Sequence, residues 1–270
     1  MQITTQTIAL PSGAGSIQVH CHGDARAPVV YMAHSILSSS AMWSTQAQLL
    51  ASRGWHVVCA DTRGHGGSVA HQAPSSMQHL VADTVAVLDA LGIAKAHYVG
   101  LSLGGMSGFG LALAHSDRLA SLCLCDARAD TPPEASAPWN ERIAIAEREG
   151  CAALARPTLE RWFGRVFLDA HPDTAQRLLQ VAASTSVDGF VGCARAIQGL
   201  DYLARVSEIA LPTTLVVGAN DGVLPQAMIE IQRRIAGSVL EVIAQAGHLP
   251  NIDQPAAFDA ALLRHLGAPA

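Results

Sequence analysis

Ala96-His97-Tyr98-Val99-Gly100-Leu101-Ser102-Leu103-Gly104 is an apolar run that ends in G-x-S-x-G and leads into a helical pattern. A strand that turns this sharply into a helix leaves almost no room beside the serine, so glycine stands at positions 100 and 104. The turn forces the serine into a strained backbone conformation and lifts its hydroxyl above the sheet. It also sets the first amides of the next helix beside that hydroxyl, where they can hold an oxyanion. The stretch therefore predicts a nucleophilic serine at the carboxyl end of a parallel strand.

The pattern on both sides agrees. Ile3 to Leu10 and Ser16 to Cys21 read as a hairpin joined by Pro11-Ser12-Gly13-Ala14-Gly15. Strands are then expected at Val29 to Ala33, His56 to Ala60, Ala96 to Val99 and Leu119 to Cys125, with helices at Ala41 to Ala51, Met77 to Leu91 and from the serine turn to His115. Alternating strands and helices imply parallel pairing with both sheet faces covered. After Asp126 the rhythm changes. Helical patterns follow one another at Asn140 to Glu149, Thr158 to Leu168, Thr174 to Ala183 and Gly189 to Ile197. Strands resume at Thr213 to Val217 and Val239 to Ala244, with helices at Pro225 to Ile235 and Pro255 to Leu266. The expected fold is α/β: a mostly parallel eight-stranded sheet flanked by helices. Residues 1–128 and 206–270 would form its core, and 129–205 a helical lid inserted after the sixth strand, over the edge where ligands bind in such sheets.

Composition narrows the function. Hydrophobic residues make up 50% of the 270-residue chain and charged ones only 14%, which fits one compact core rather than disorder. The net charge of -5 and a lone lysine, Lys95, leave no basic surface for nucleic acid. No apolar run is long enough for a membrane span, and Met1-Gln2-Ile3-Thr4-Thr5 lacks the charged start and apolar core of a signal peptide. The cysteines (Cys21, Cys59, Cys123, Cys125, Cys151, Cys193) lie mostly in apolar segments without C-x-x-C spacing. They read as buried thiols of a cytoplasmic protein, and no His/Cys cluster has metal-ligand spacing. A homodimer is compatible with this composition.

A serine hydroxyl needs a base to take its proton, usually a histidine oriented by a carboxylate. In this topology the acid and the histidine follow the serine in sequence. Of twelve histidines, His248 is best placed, in Ala246-Gly247-His248-Leu249-Pro250 after the last strand. His34 and His65 precede the serine and read as structural. Asp221, in Gly218-Ala219-Asn220-Asp221-Gly222 after strand Thr213 to Val217, is the favoured acid. Asp126, after strand Leu119 to Cys125, is the alternative. Asp201 and Asp253 read as capping or surface residues. The oxyanion amides would be those of Ile36, in the loop after the third strand, and Leu103.

With these motifs in place, the chain resembles the α/β-hydrolases over nearly its whole length, and within them the 3-oxoadipate enol-lactonases. The general likeness lies in Asp61-Thr62-Arg63-Gly64-His65-Gly66-Gly67-Ser68, Gly100-Leu101-Ser102-Leu103-Gly104-Gly105-Met106, Gly218-Ala219-Asn220-Asp221 and Ala246-Gly247-His248. The closer likeness lies in Pro138-Trp139-Asn140-Glu141-Arg142-Ile143, Arg161-Trp162-Phe163, Cys193-Ala194-Arg195-Ala196-Ile197 and His248-Leu249-Pro250-Asn251-Ile252-Asp253-Gln254-Pro255. The resemblance implies a cofactor-free hydrolase that opens an enol-lactone of aromatic catabolism, with Ser102, Asp221 and His248 as its triad. One departure stands out: the oxyanion loop begins His34-Ser35, where the superfamily usually has His-Gly and many of the lactonases Asn-Ser. Serine at the elbow separates the chain from dehalogenases and epoxide hydrolases of the fold, which carry aspartate there. A general carboxylesterase and a small-molecule receptor are the rival readings. Trp43, Met106, Trp139, Trp162, Phe163 and Leu224 are candidates for an apolar pocket lining. Arg128 and Arg195 are candidates for binding a substrate carboxylate.

Overall fold

The computed structural model describes residues 3–73 and 76–269. Met1 and Gln2 of the N-terminal reading therefore lie outside the described residues. The strands are β1 (Ile3–Ala9), β2 (Gly15–His22), β3 (Val29–Ala33), β4 (His56–Ala60), β5 (Val69–Ala70), β6 (Ala96–Leu101), β7 (Leu119–Cys125), β8 (Thr213–Gly218) and β9 (Val239–Ile243). All belong to one sheet of order β1-β2-β4-β3-β6-β7-β8-β9. Pairing is antiparallel at β1–β2 and β2–β4 and parallel from β4 through β9. β5, two residues long, pairs with β2 off this path and is too short to leave a periodic signal.

The central strands are apolar throughout because helices cover both faces. Every residue of β4 and β8 is buried, and β3 and β7 are nearly so. The covering helices are α1 (Ser44–Ser52), α2 (Met77–Ala90), α3 (Leu103–Ala114), α8 (Leu224–Arg234) and α10 (Pro255–Leu266), with a single turn, α9 (Pro250–Asp253), before the last. Four helices intervene between β7 and β8: α4 (Pro133–Glu149), α5 (Ala152–Ala170), α6 (Pro172–Ser184) and α7 (Val187–Gln198).

The first two of these run longer than their periodicity suggests. α4 passes through Pro138 and α5 through Pro157, residues that in a sequence mark a helix boundary. α5 is broken instead at Gly164, with φ 74° and ψ 158°, a conformation open to glycine. That break falls just after Trp162-Phe163 and turns the chain at the cavity wall. None of the described helices is long and apolar enough to cross a membrane.

Candidate active site

The site lies where β6, β7, β8 and β9 end. Ser102 follows β6 with φ 54° and ψ -113°, a strained conformation that costs about 1–3 kcal/mol. Two bonds hold it there: Ser102 N–H donates to the Cys125 carbonyl, and Met106 N–H donates to the Ser102 carbonyl, each at 2.8 Å. A Cβ on Gly100 would overlap the Gly104 carbonyl, and one on Gly104 would overlap the Ala33 carbonyl. The glycines of the elbow are thus required by backbone contact.

Leu103 opens α3, so its N–H has no intrahelical partner and faces the elbow. The opposite amide belongs to the loop after β3. There Leu37 has φ 55° and Ile36 reaches the same cavity as Ser102. This loop is pinned from beneath by His34, which is fully buried. Its Nε2 accepts from Thr62 N–H at 2.7 Å, so Nδ1 carries the proton and donates to the Ser35 carbonyl at 2.7 Å. Burial lowers His34 from the usual histidine range and keeps it neutral, against a weaker pull from Asp61. His65, its ring 5.5 Å away, is pushed down to about 3 by burial and then by His34. Asp61 ties the neighbouring turn, accepting from Ser40 N–H at 2.7 Å and Gly67 N–H at 2.8 Å.

Asp221 and His248 meet because the loops after β8 and β9 are stitched together. Ala219 N–H donates to Ile243 and Asn220 N–H to Ala246, at 2.9 and 2.8 Å. A Cβ on Gly218 would overlap the Gly247 carbonyl. The outcome is a 2.6 Å hydrogen bond between His248 Nδ1 and Asp221 Oδ2. Nδ1 is therefore protonated, and Nε2 is left as the basic atom.

The helical segment also touches the histidine. His248 N–H donates to the Trp162 carbonyl at 2.9 Å, and the Trp162 ring stacks on the imidazole at 5.7 Å. Asp253, read as a capping or surface residue, is half-buried and accepts from Gly247 N–H at 2.6 Å, bracing the same loop. Burial raises its pKa, and that bond opposes the rise.

Asp126, the alternative acid, is present as well. It is fully buried, has φ 45°, and accepts from Gly218 N–H at 2.8 Å through Oδ1. A carboxylate oxygen of Asp126, one of Asp221 and a ring nitrogen of His248 lie within 4.8 Å of one another. Burial, and then the Asp221 charge beside it, pushes the Asp126 carboxyl well above the usual carboxylate range. The two acids are thus companions rather than rivals.

Ser102, Asp221 and His248 open on one cavity of about 420 Å³. Ile36, Met106, Trp139, Trp162 and Leu224 contribute to its apolar wall. Three arginines line it too: Arg128, Arg142 and Arg161. Arg128 reaches Asp130 at 3.4 Å while its buried Nε has no partner. Arg142 lies 4.7 Å over the Trp139 ring. Glu160, beside Arg161 in sequence, is engaged by Arg156 at 3.7 Å and Arg165 at 3.5 Å. Arg161 is lowered to about 10 by enclosure in protein and then by the charge of Arg142, with Asp221 opposing. Burial lowers Arg142 as well. Arg161 is exposed and is among the residues that line the cavity.

Three expected pocket residues lie elsewhere. Trp43 is fully buried and packs 5.9 Å from Phe258, in the core beneath the site. Arg195 is exposed on α7 and does not line the cavity. Phe163 points away from it and stacks on Phe167 at 4.8 Å. Sequence reasoning missed Arg142 and Arg161, although both stand in segments quoted above. Spacing along α4 and α5 cannot say that these two helices converge. A larger groove of about 780 Å³ opens between α6 and the start of α1, and is lined by none of Ser102, Asp221 and His248.

The parallel sheet and the covering helices define a hydrolase of the α/β class. Residues 28–255 match the family model of the α/β-hydrolase fold, and the chain belongs to that family. It is 33% identical to 3-oxoadipate enol-lactonase 1 of Acinetobacter baylyi, over 90% of each chain. Among solved structures it is similar to the enol-lactonase of Burkholderia xenovorans, with a TM-score of 0.90 and 29% identity over 97% of this chain and 99% of that one. A hydrolase of Pseudomonas aeruginosa is likewise similar, with a TM-score of 0.93 and 32% identity over 98% and 99%.

Proposed function

We propose that this hydrolase opens a carboxylate-bearing lactone through a serine acyl-enzyme, as a 3-oxoadipate enol-lactonase of aromatic catabolism would. The observation that carries the reading is the joint presence of Ser102, the Asp221–His248 pair and three arginines on one cavity. A neutral ester offers Arg142 and Arg161 no charge to pair with, whereas a carboxylate could take charge-assisted guanidinium bonds from both.

His248 Nε2 takes the proton of Ser102 Oγ as the oxygen attacks the lactone carbonyl. The amides of Ile36 and Leu103 hold the developing oxyanion. Collapse breaks the ring C–O bond, and the leaving oxygen recovers the proton from His248. It stays tethered to the acyl group, so water must compete with its return. His248 then deprotonates that water, which attacks the acyl carbon; the acyl–Oγ bond breaks, His248 returns the proton to Ser102 Oγ, and the open-chain acid is released. Asp221 stabilises the imidazolium in both half-reactions. Helices α4 to α7 act as the lid of this cavity, residues 129–205 forming the inserted unit, and α4 and α5 supply its cationic wall.

Steady-state hydrolysis of 3-oxoadipate enol-lactone, neutral lactones and short p-nitrophenyl esters, each with a Ser102→Ala control, tests the reading. A strong preference for the anionic lactone, lost in the control, is the expected result. Broad ester turnover with little activity on that lactone would make the protein a general carboxylesterase.

A further inference from the structure

Asp126 is a carboxyl group with a bonding problem. Water does not reach it, and Oδ1 is occupied by the Gly218 N–H at 2.8 Å. Its Oδ2 finds no donor among the described residues as long as both acids are treated as carboxylates. The polar groups it faces at the site are Asp221 and His248, whose ligand atoms lie with its own inside 4.8 Å. His248 Nδ1–H is already given to Asp221 Oδ2 at 2.6 Å. Two ionised carboxylates at this separation, with no cation between them, would repel strongly, and a proton placed between them removes the repulsion and supplies the missing donor.

The proton belongs on the inner acid. Asp221 keeps 15% of its side chain accessible and faces both His248 and the charge of Arg161. Asp126 is shielded from water, and among the described residues no basic side chain forms an ion pair with it. Its backbone is constrained to match: φ is 45°, unusual for aspartate, and its N–H is tied to the Val216 carbonyl at 2.9 Å. That conformation turns the side chain across the end of β8 toward the loop carrying Asp221.

We propose that Asp126 is a positioning residue whose carboxylic acid donates a hydrogen bond to Asp221, holding the triad acid from the side opposite His248. Gly218 N–H holds Asp126, Asp126 holds Asp221, and Asp221 holds the tautomer and orientation of His248. Asp126 touches neither substrate nor serine, so its removal acts on turnover rather than binding. The inference rests on the serine-hydrolase reading for its kinetic consequence but not for its chemistry.

The test compares Asp126→Asn with Asp126→Leu. The amide can accept from Gly218 and donate to Asp221, and the leucine can do neither. Asp126→Leu is expected to lower kcat by about 10- to 100-fold with KM little changed, and Asp126→Asn to recover most of that loss. Equal loss in both variants would show that the carboxylate charge is what matters, and would overturn the proposal. No loss in either would do the same. Infrared difference spectra of wild type against Asp126→Asn at neutral pH supply a readout independent of substrate and of whether the leucine variant folds. A protonated-carboxyl C=O stretch present in wild type and missing in the variant is expected, and its absence from wild type would refute the idea even if every assay for hydrolysis failed.

Discussion

The edge of the sheet and the helices above it contribute to one cavity in different ways. At the edge, each chemical residue is held by backbone geometry: Ser102 by an elbow closed with Gly100 and Gly104, His248 by a loop whose Gly247 lies against Gly218. In the helices, Trp139, Arg142 and Arg161 project into the cavity from α4 and α5 on side chains, while Trp162 is buried against His248. A different residue at 142 or 161 would leave the helix intact, whereas a side chain at 100 or 104 would open the elbow. On the function proposed above, the chemistry falls in the part fixed by backbone contacts and the substrate contacts in the part fixed by side chains. The two regions touch through the Trp162 carbonyl, bonded to His248 N–H.

The comparison breaks first at the serine. Ser102→Ala should remove on the order of 10⁴-fold or more of kcat on every substrate, with thermal stability unchanged or raised as the backbone strain remains and no buried bond is lost. Survival of more than about a hundredth of the activity would detach the chemistry from the edge. The helices are tested next. Arg142→Gln with Arg161→Gln should raise KM for an anionic lactone by about 10- to 100-fold, and leave a neutral p-nitrophenyl ester within about threefold. Equal effects on both substrates would mean that the arginines serve the helices' structure rather than the ligand.

The contact between the regions gives a smaller expected effect. A Cβ at Gly247 would overlap the Trp162 carbonyl, so Gly247→Ala must push α5 and the histidine loop apart. A loss of about tenfold in kcat is expected, with His248 displaced from Trp162 in a crystal structure. Wild-type kinetics in this variant would show that the two regions are independent.

The smallest effect lies outside both regions. His265, linked to Ser121 at 2.8 Å and Thr214 at 2.9 Å, is lowered to about 4 by burial and then by His97. Its folded pKa is below the unfolded value, so the stability it contributes is present above about pH 6.5 and lost as pH falls toward 4. Thermal midpoints measured across that window should fall with acidity, and fall less steeply in His265→Gln.

Legibility in the sequence follows the same division. The order of strands and helices could be read because strands buried on both faces are continuously apolar, as in Val29–Ala33 and Leu119–Cys125. The expected triad members could be picked out because glycines punctuate the loops that carry them. The extent of α4 and α5 is not legible because Pro138 and Pro157 look like ends, while the break at Gly164 looks like an ordinary helix residue. Trp43 as an apolar wall and Arg195 as a carboxylate binder are expectations that rest on side-chain chemistry without a position in space. Trp43 is instead core, and Arg195 faces outward from α7.

By itself the sequence determined the sheet, the elbow and the order in which serine, acid and histidine follow one another, since each is imposed by local backbone and burial requirements. Only the tertiary structure decided that Asp126 and Asp221 lie side by side and that Arg142 and Arg161 face the same cavity as Ser102. Those proximities join residues 95 positions apart in one case and elements with separate periodicities in the other, and no local pattern encodes the distance between them.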